Sequence, residues 1–287
     1  MAVACYMVRI LPGGQLLVQL KRVGVEQSLN GGFVAKLRGA VLAAGRGVRM
    51  GGEKPKTLIS VGDHEPMLHY LLKGLSAAEV DDLMVITGFM PEAVTAYISE
   101  HWDEDNVTYV FNPRYASWGN FHSARLAADQ SPGFDLLIVN CDIVIHPDVF
   151  KRVASTEGDL VLAVEERYGL DKEDMRVRLA DGRVTDIGKD LEMQFSAGEF
   201  CGVSLMRGPA LDLYRELATS VEWQRSSSIY YEDIYKQMLG QVAARAAEVR
   251  PGEYAEVDTP EDVRAAIDVI ERHRGAFNDS SGQPQPA

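Results

Sequence analysis

Four basic side chains, Arg46, Arg49, Lys54 and Lys56, fall within VLAAGRGVRMGGEKPKTL, where a short apolar run stops at a glycine-rich turn. From Lys36 to Lys56 there are six Lys/Arg and one Glu, a local +5 in a chain whose formal net charge is −13. Gly45 and Gly47 can bring backbone N–H groups close to an anion, and guanidinium and ammonium groups suit phosphate oxygens. A Gly-x-Gly turn alone is equally compatible with a plain structural bend, and neither the Walker A nor the G-x-G-x-x-G pattern is present. Two acids stand out elsewhere. Asp142 ends the apolar run LLIVNCDIVI and Asp258 lies in EVDTPEDV. An acid at the end of a buried strand needs a partner, and a helix cap or a ligand site would each supply one.

Composition limits what such a turn could serve. With 287 residues and 46% apolar content, the chain can build a full core as one large domain or two small ones. The acidic balance argues against general nucleic-acid or polybasic membrane binding, leaving a small anionic ligand for the local basic patch. No apolar run approaches the roughly 18–20 residues of a membrane span, and the N-terminus shows no signal peptide. Cys5, Cys141 and Cys201 have no metal spacing and fit free thiols in a reducing cytoplasm.

The elements that must position these groups follow from periodicity. Residues 1–38 form a preface that reads as a β-hairpin around Pro12-Gly13-Gly14. It could pack on the core, sense a ligand or form a homodimer contact. From 39 onward strands alternate with helices: LRGAVLAAG, EPMLHYLLKGLSAA, DLMVITGF, PEAVTAYISEHW, VTYVFNP, FHSARLAADQ, then DLLIVNCDIVI as one strand and HPDVFKRVAS as a helix. This rhythm predicts a parallel sheet with helices on both faces. The second half predicts further strands, with a hairpin turn at Asp181-Gly182, and helices over PALDLYRELATS and IYYEDIYKQMLGQVAARA. Thr259 is placed as the N-cap of a closing helix, with Pro260, Glu261 and Asp262 in its first turn. Residues 39–272 are expected to be one catalytic domain, and residues 273–287 a disordered tail.

The longer string is more specific than its glycines. Leu42, Ala43, Gly45, Gly47, Arg49 and Met50, then Pro55, Lys56 and Leu58, resemble the signature of nucleoside-triphosphate transferases, which activate phosphorylated sugars and alcohols as nucleotide diphosphates. The resemblance implies a Rossmann-like, GT-A-type three-layer α/β/α fold with a mostly parallel mixed sheet. It implies that the loop, Leu42, Ala43, Ala44, Gly45 and Gly47, wraps the triphosphate of the nucleotide while Arg49 and Lys56 steady the phosphate charge. It also implies Mg²⁺ as cofactor, held by Asp142 and Asp258, since nucleotidyl transfer needs charge neutralised at the α-phosphate and the leaving group. Lys54 is an extra lysine without an assigned role.

Asn112, Tyr115, Asn120 and Ser123 resemble the N-x-x-Y-x-x-x-x-N-x-x-S segment of bacterial phosphocholine cytidylyltransferases and relatives acting on aminoethylphosphonate. By that resemblance Asn120 and Ser123, with Gly88 and Phe89, belong to the nucleoside site, and the nucleotide is CTP. Asn120 offers the donor and acceptor that a cytosine edge needs, although Asn120 and Ser123 also suit an ordinary helix start. The same subgroup implies that Lys189 approaches an acceptor phosphate or phosphonate and that Glu199 and Gly202 line the acceptor pocket. Trp118, Trp223, Tyr230 and Tyr231 could offer aromatic faces to a cationic head group, with Glu232 and Asp233 as counter-charges. The expected activity is transfer of CMP from CTP to a small phosphorylated or phosphonylated alcohol. A sugar- or inositol-phosphate nucleotidylyltransferase and a non-catalytic nucleotide-binding regulatory subunit are the alternatives.

Overall fold

The structure is a computed structural model describing residues 4–10, 16–22, 35–223 and 228–278. Strands β1 (Ala4–Ile10) and β2 (Leu16–Arg22) pair antiparallel as a separate two-stranded sheet; the expected Pro12–Gly14 turn lies outside the described residues. The main body then runs β3 (Lys36–Leu42), α1 (Met67–Ala77), β4 (Asp82–Thr87), α2 (Pro91–His101), β5 (Val107–Phe111), α3 (Asn120–Asp129) and β6 (Phe134–Asn140). Next come β7 (Ile143–Ile145), α4 (Pro147–Ser155), β8 (Leu160–Glu166), β9 (Arg176–Ala180), β10 (Arg183–Gly188), β11 (Gly198–Met206), α5 (Gly208–Trp223) and α6 (Tyr231–Met238). The chain closes with β12 (Ala244–Val249), β13 (Tyr254–Glu256), α7 (Val263–Arg272) and α8 (Arg274–Asn278).

Alternation along the strands splits the core in two. Ala40 and Leu42 of β3 face a cluster built with α3, α5 and α6, while Val41 and Ala43 face one built with α1 and α4. The nine-stranded sheet has the order β5-β4-β3-β6-β11-β8-β12-β10-β9. Its pairs β3–β4, β3–β6, β4–β5 and β8–β12 are parallel, whereas β11–β6, β11–β8, β10–β12, β10–β9 and β11–β9 are antiparallel. The sheet is mixed as expected, but not mostly parallel: the second half of the chain adds the antiparallel pairs. The additional β11–β9 pairing joins β11, β8, β12, β10 and β9 into a small closed ring.

Three element boundaries also differ from expectation. The run DLLIVNCDIVI breaks at Cys141-Asp142, because β7 leaves the main sheet to pair with β13. Helix α6 stops at Met238; Gly240, at φ 85°, turns the chain, and the alanines beyond it join β12 alongside β8. The expected disordered tail begins with α8, whose Phe277 is buried in a third core cluster with Tyr70, Val144 and Val257. The Asp181-Gly182 turn has both φ values positive, 50° and 69°, as a two-residue hairpin requires. Thr259 is the N-cap, as expected, of a short 3-10 turn leading into α7, and Asp262 returns the cap by accepting from its N–H. Among the described residues no helix is long and apolar enough to cross a membrane.

Candidate active site

Strand β3 has β4 on one side and β6 on the other, so the direction of winding reverses between β3 and β6. Open α/β sheets bind ligands at the carboxyl ends of strands at such a reversal. Leu42 pairs with Asn140 at those ends. The glycine-rich loop leaves one strand there, and Cys141-Asp142 leaves the other.

The loop is closed on itself by backbone bonds from Lys56 N to Gly45 O at 3.1 Å and from Gly52 N to Gly47 O at 3.1 Å. Gly47, at φ 66°, occupies the left-handed region where a side chain is strained. Gly45 differs: its φ is not positive, and an added Cβ would meet no atom within 4 Å. The fold does not itself require glycine at 45, and the missing side chain leaves room over the loop. Arg46 donates to Gly52 O at 3.0 Å and lies 5.1 Å over the Phe89 ring. Gly88 is enclosed, since a Cβ there would come within 2.7 Å of Ala44 O and 2.6 Å of Tyr115 Cβ. Leu42, Ala43 and Ala44 are buried beneath the loop.

The two expected metal ligands meet at this edge. Antiparallel pairing of β7 with β13 sets Ile143 opposite Glu256, and Val257 N donates to Asp142 O at 2.7 Å. Lys56 Nζ lies 2.7 Å from Asp142 Oδ2 and also contacts Asp258 Oδ1, while Arg49 Nη2 lies 2.8 Å from Asp258 Oδ2. Burial alone would lower the Lys56 ammonium, but the Asp142 and Asp258 carboxylates outweigh it and hold it above its ordinary value. The local +5 is thus not a free basic patch. Arg38 pairs with Asp82 at 2.6 Å in the core, and Arg49 and Lys56 are engaged by the two site acids. Arg46 and Lys54 are exposed.

Glu256 is the acid that the sequence reading missed. It completes a triad with Asp142 and Asp258 whose ligand atoms lie within 4.8 Å of one another. Its position two residues before Asp258 on an extended segment puts both side chains on one face, and that spacing was the available signal. Although Glu256 faces solvent, enclosure of its carboxyl by protein, then the Asp142 and Asp258 carboxylates, push its pKa up to about 8. Asp142 Oδ1 is buried and has no hydrogen-bond partner. Hard oxygen donors in this number, with one buried oxygen uncommitted, fit a magnesium-like cation.

The expected base-side residues are tied to the fold. Asn112 Nδ2 donates to Ser123 Oγ at 2.9 Å, and both residues are buried. Asn120 Oδ1 accepts from Tyr231 N at 3.3 Å. That bond joins the start of α3 to the start of α6. Tyr231 is fully buried, so its ring has no exposed face for a cationic head group; its hydroxyl donates to Asn140 Oδ1 at 3.0 Å. Glu232 is buried as well, and burial pushes its carboxyl up to about 7.

On the acceptor side, Lys189 Nζ lies 3.8 Å from Glu173 Oε2 and 5.3 Å over the exposed Tyr230 ring. Half-buried Trp118 carries the Arg114 guanidinium 4.6 Å over its ring. Asp233 accepts from Tyr230 N at 2.8 Å as a helix cap, and Trp223 is the last residue of α5. Gly202, at φ 74°, sits in the irregular stretch of β11 where a Cβ would press on Asn140. Glu199 is buried and paired with Arg167, a residue the sequence reading did not single out, at 2.7 Å. Arg167 also reaches Asp174 at 3.0 Å and Glu165 at 3.5 Å. Burial, then Asp174, raise the Glu199 carboxyl above its ordinary value against the pull of Arg167.

A mixed α/β sheet with a glycine-rich cationic loop and converging acids at its winding reversal defines the nucleotidyltransferase class. The chain belongs to the MobA-like NTP transferase family, whose domain matches residues 39–196. It is 30% identical over 245 residues to the CMP-5'-(3-aminopropyl)phosphonate synthase of Streptomyces rubellomurinus, covering 80% of this chain and 38% of that protein. It is 30% identical over 247 residues to a bifunctional IPC transferase and DIPP synthase of Rubrobacter xylanophilus, covering 84% of this chain and 53% of that one. The chain thus spans only 38% and 53% of the lengths of these two relatives. The choline-phosphate cytidylyltransferase of Streptococcus pneumoniae is 22% identical over 242 residues, 82% of this chain and 98% of its own. Among solved structures, the CTP:phosphocholine cytidylyltransferase of that organism superposes with a TM-score of 0.69 at 19% identity, covering 83% of this chain and 100% of its own. The inositol-1-phosphate CTP transferase of T. maritima gives 0.69 at 18%, covering 83% and 98%. These two share the fold.

Proposed function

We propose that this protein transfers CMP from CTP to an oxygen of a small phosphorylated or phosphonylated alcohol and releases pyrophosphate. The observation that carries this reading is the contact of Lys56 with Asp142 and Asp258 beneath the glycine-rich loop. It puts a phosphate-binding cation and a set of acidic ligands at one strand edge. The loop from Leu42 to Gly47 encloses the triphosphate, and Arg49 and Lys56 bind its oxygens. Asp142 and Asp258, joined by Glu256, hold a divalent cation. When bound, that cation neutralises charge on the α-phosphate and the departing pyrophosphate. The anionic acceptor oxygen attacks the α-phosphorus. The bond from that phosphorus to the bridging oxygen breaks, and pyrophosphate leaves with the electron pair. No general base is needed, because the attacking oxygen carries no proton near neutral pH; positioning and electrostatics supply the catalysis. Lys189 steadies the acceptor anion, and Gly88, Asn120 and Ser123 shape the nucleoside side. Trp118, Glu199, Tyr231 and Glu232 frame the acceptor side, Tyr231 and Glu232 from within the core.

The choice of CTP is supported by the relatives that are a CMP-aminopropylphosphonate synthase and a choline-phosphate cytidylyltransferase. A second acceptor class, an inositol phosphate, is favoured by the pairing of Glu199 with Arg167, which already neutralises a carboxylate that a cationic head group would need. A panel of CTP, UTP, GTP and dTTP against phosphocholine, aminoalkylphosphonates, inositol 1-phosphate and glucose 1-phosphate, read by pyrophosphate release, tests both. CTP-dependent release with a phosphonate or phosphocholine is expected. Preference for a sugar phosphate with another nucleotide refutes cytidylyl transfer, and nucleotide binding without release from any pair returns the regulatory-subunit reading. Asp142→Asn is expected to cut turnover on the order of a hundredfold or more while leaving the fold intact.

A further inference from the structure

Lys56 occupies the space between two carboxylates that also fit a divalent cation. Its Nζ lies 2.7 Å from Asp142 Oδ2 and contacts Asp258 Oδ1, and the residue is 8% exposed. Arg49 holds the other oxygen of Asp258 at 2.8 Å. An ammonium and a magnesium-like ion cannot both draw fully on the same two carboxylates, because like charges would be juxtaposed across one carboxylate group. We infer that Lys56 and the divalent cation are alternative occupants of the gap between Asp142 and Asp258, exchanged when Lys56 takes up phosphate oxygens. This rests on the nucleotidyltransferase reading above.

The geometry gives the exchange a route. Lys56 begins a single 3-10 turn, Lys56–Leu58, directly after the glycine-rich loop, and its backbone N–H is tied to Gly45 O. The same residue therefore belongs to the phosphate-binding loop and to the acid cluster. A triphosphate offers Lys56 and Arg49 new oxygen partners, which frees both oxygens of Asp258 and Oδ2 of Asp142. Oδ1 of Asp142 has no partner to surrender. Nucleotide and metal then assist each other reciprocally, since each favours the arrangement in which Lys56 has left the acids. Metal alone must displace the lysine, so it binds weakly. The lysine is in this sense an internal competitor that discourages metal from loading before nucleotide.

The test uses Mn²⁺ alone as probe, with free Mn²⁺ counted by electron paramagnetic resonance, on the full chain and on Lys56→Met. The exchange requires Lys56→Met to bind Mn²⁺ at least ~5-fold more tightly than the unsubstituted protein, the lower edge of ordinary coupling between ligands. Asp142→Asn, introduced into each, is expected to abolish the binding. Equal affinities that Asp142→Asn removes would keep the metal site and overturn the exchange. Absence of Mn²⁺ binding in both proteins would overturn the metal reading and the exchange together. If Lys56→Met does not fold, the unsubstituted protein is acetylated with acetic anhydride with and without Mg²⁺, and modification of Lys56 is followed by peptide mass spectrometry. A several-fold faster reaction with Mg²⁺ is expected, and an unchanged rate refutes the exchange.

Discussion

Glu256 shows how much a single acid can add at the residue scale. It lies opposite Ile143 in the β7–β13 ladder, which brings its carboxylate to within 4.8 Å of those of Asp142 and Asp258. Replacement by Gln keeps the shape and removes the charge. Mn²⁺ affinity is expected to fall ~10–100-fold, measured by the same titration, with little change in melting temperature. Glu232 makes a different prediction. Burial raises its carboxyl from 4.5 to about 7, so between those values the folded chain holds a proton that the unfolded chain releases. Its relative stabilising contribution is complete below pH 4.5, declines as pH rises and is gone above about 7. Glu232→Gln removes that dependence. The drop in melting temperature between pH 5 and pH 8 should therefore shrink by several degrees in the variant; an unchanged drop would place the titration elsewhere. The signature string made Arg49 and Lys56 legible in the sequence, while Asp142 showed as an acid ending an apolar strand and Asp258 as one just before a helix cap. Glu256 offered one signal, its two-residue spacing from Asp258, which a three-residue strand is too short to make stand out as alternation.

Elements were readable where contacts are local and misread where distant partners decide. The α1, α2 and α3 helices and the β3–β5 strands follow their periodicity. QVAARA, the end of one expected helix, has helical composition, yet Ala244 pairs with Leu160 and Ala246 with Leu162, and that ladder overrides propensity. Closure of the ring through β11 and β9 is likewise a non-local pairing with no local signature. Gly88, at the end of β4, tests the packing of two elements at the site. A Cβ there would stand 2.7 Å from Ala44 O and 2.6 Å from Tyr115 Cβ, so backbone must shift to admit it. Gly88→Ala is expected to destabilise the fold by ~1–3 kcal/mol in urea unfolding. Because Ala44 adjoins the glycines of the loop proposed to hold the triphosphate, nucleotide affinity measured by calorimetry should fall as well. Loss of stability with unchanged affinity would separate β4 from the loop's geometry.

The whole molecule must bring together acids that are 116 positions apart, and its C-terminal end supplies the clamp. Strand β7 leaves the main sheet only to meet β13, and neither is longer than three residues. So short a pair is not stable by its own ladder and depends on packing. That packing is the third core cluster, in which Val144, Ala255 and Val257 from the paired segments meet Ala266, Val269 and Ile270 of α7 and Phe277 of α8. Phe277 stands edge-on to Tyr70 at 5.0 Å, so it ties the last helix to α1 as well. Phe277→Ala should cost about 3 kcal/mol, or roughly 6–12 °C in melting temperature for a protein of this size. If the cluster also sets the spacing of the acids, Mn²⁺ affinity measured well below the new melting point will fall severalfold. A lower melting temperature with unchanged Mn²⁺ affinity would mean that the β7–β13 ladder holds Asp142, Glu256 and Asp258 in register without help from the C-terminal helices.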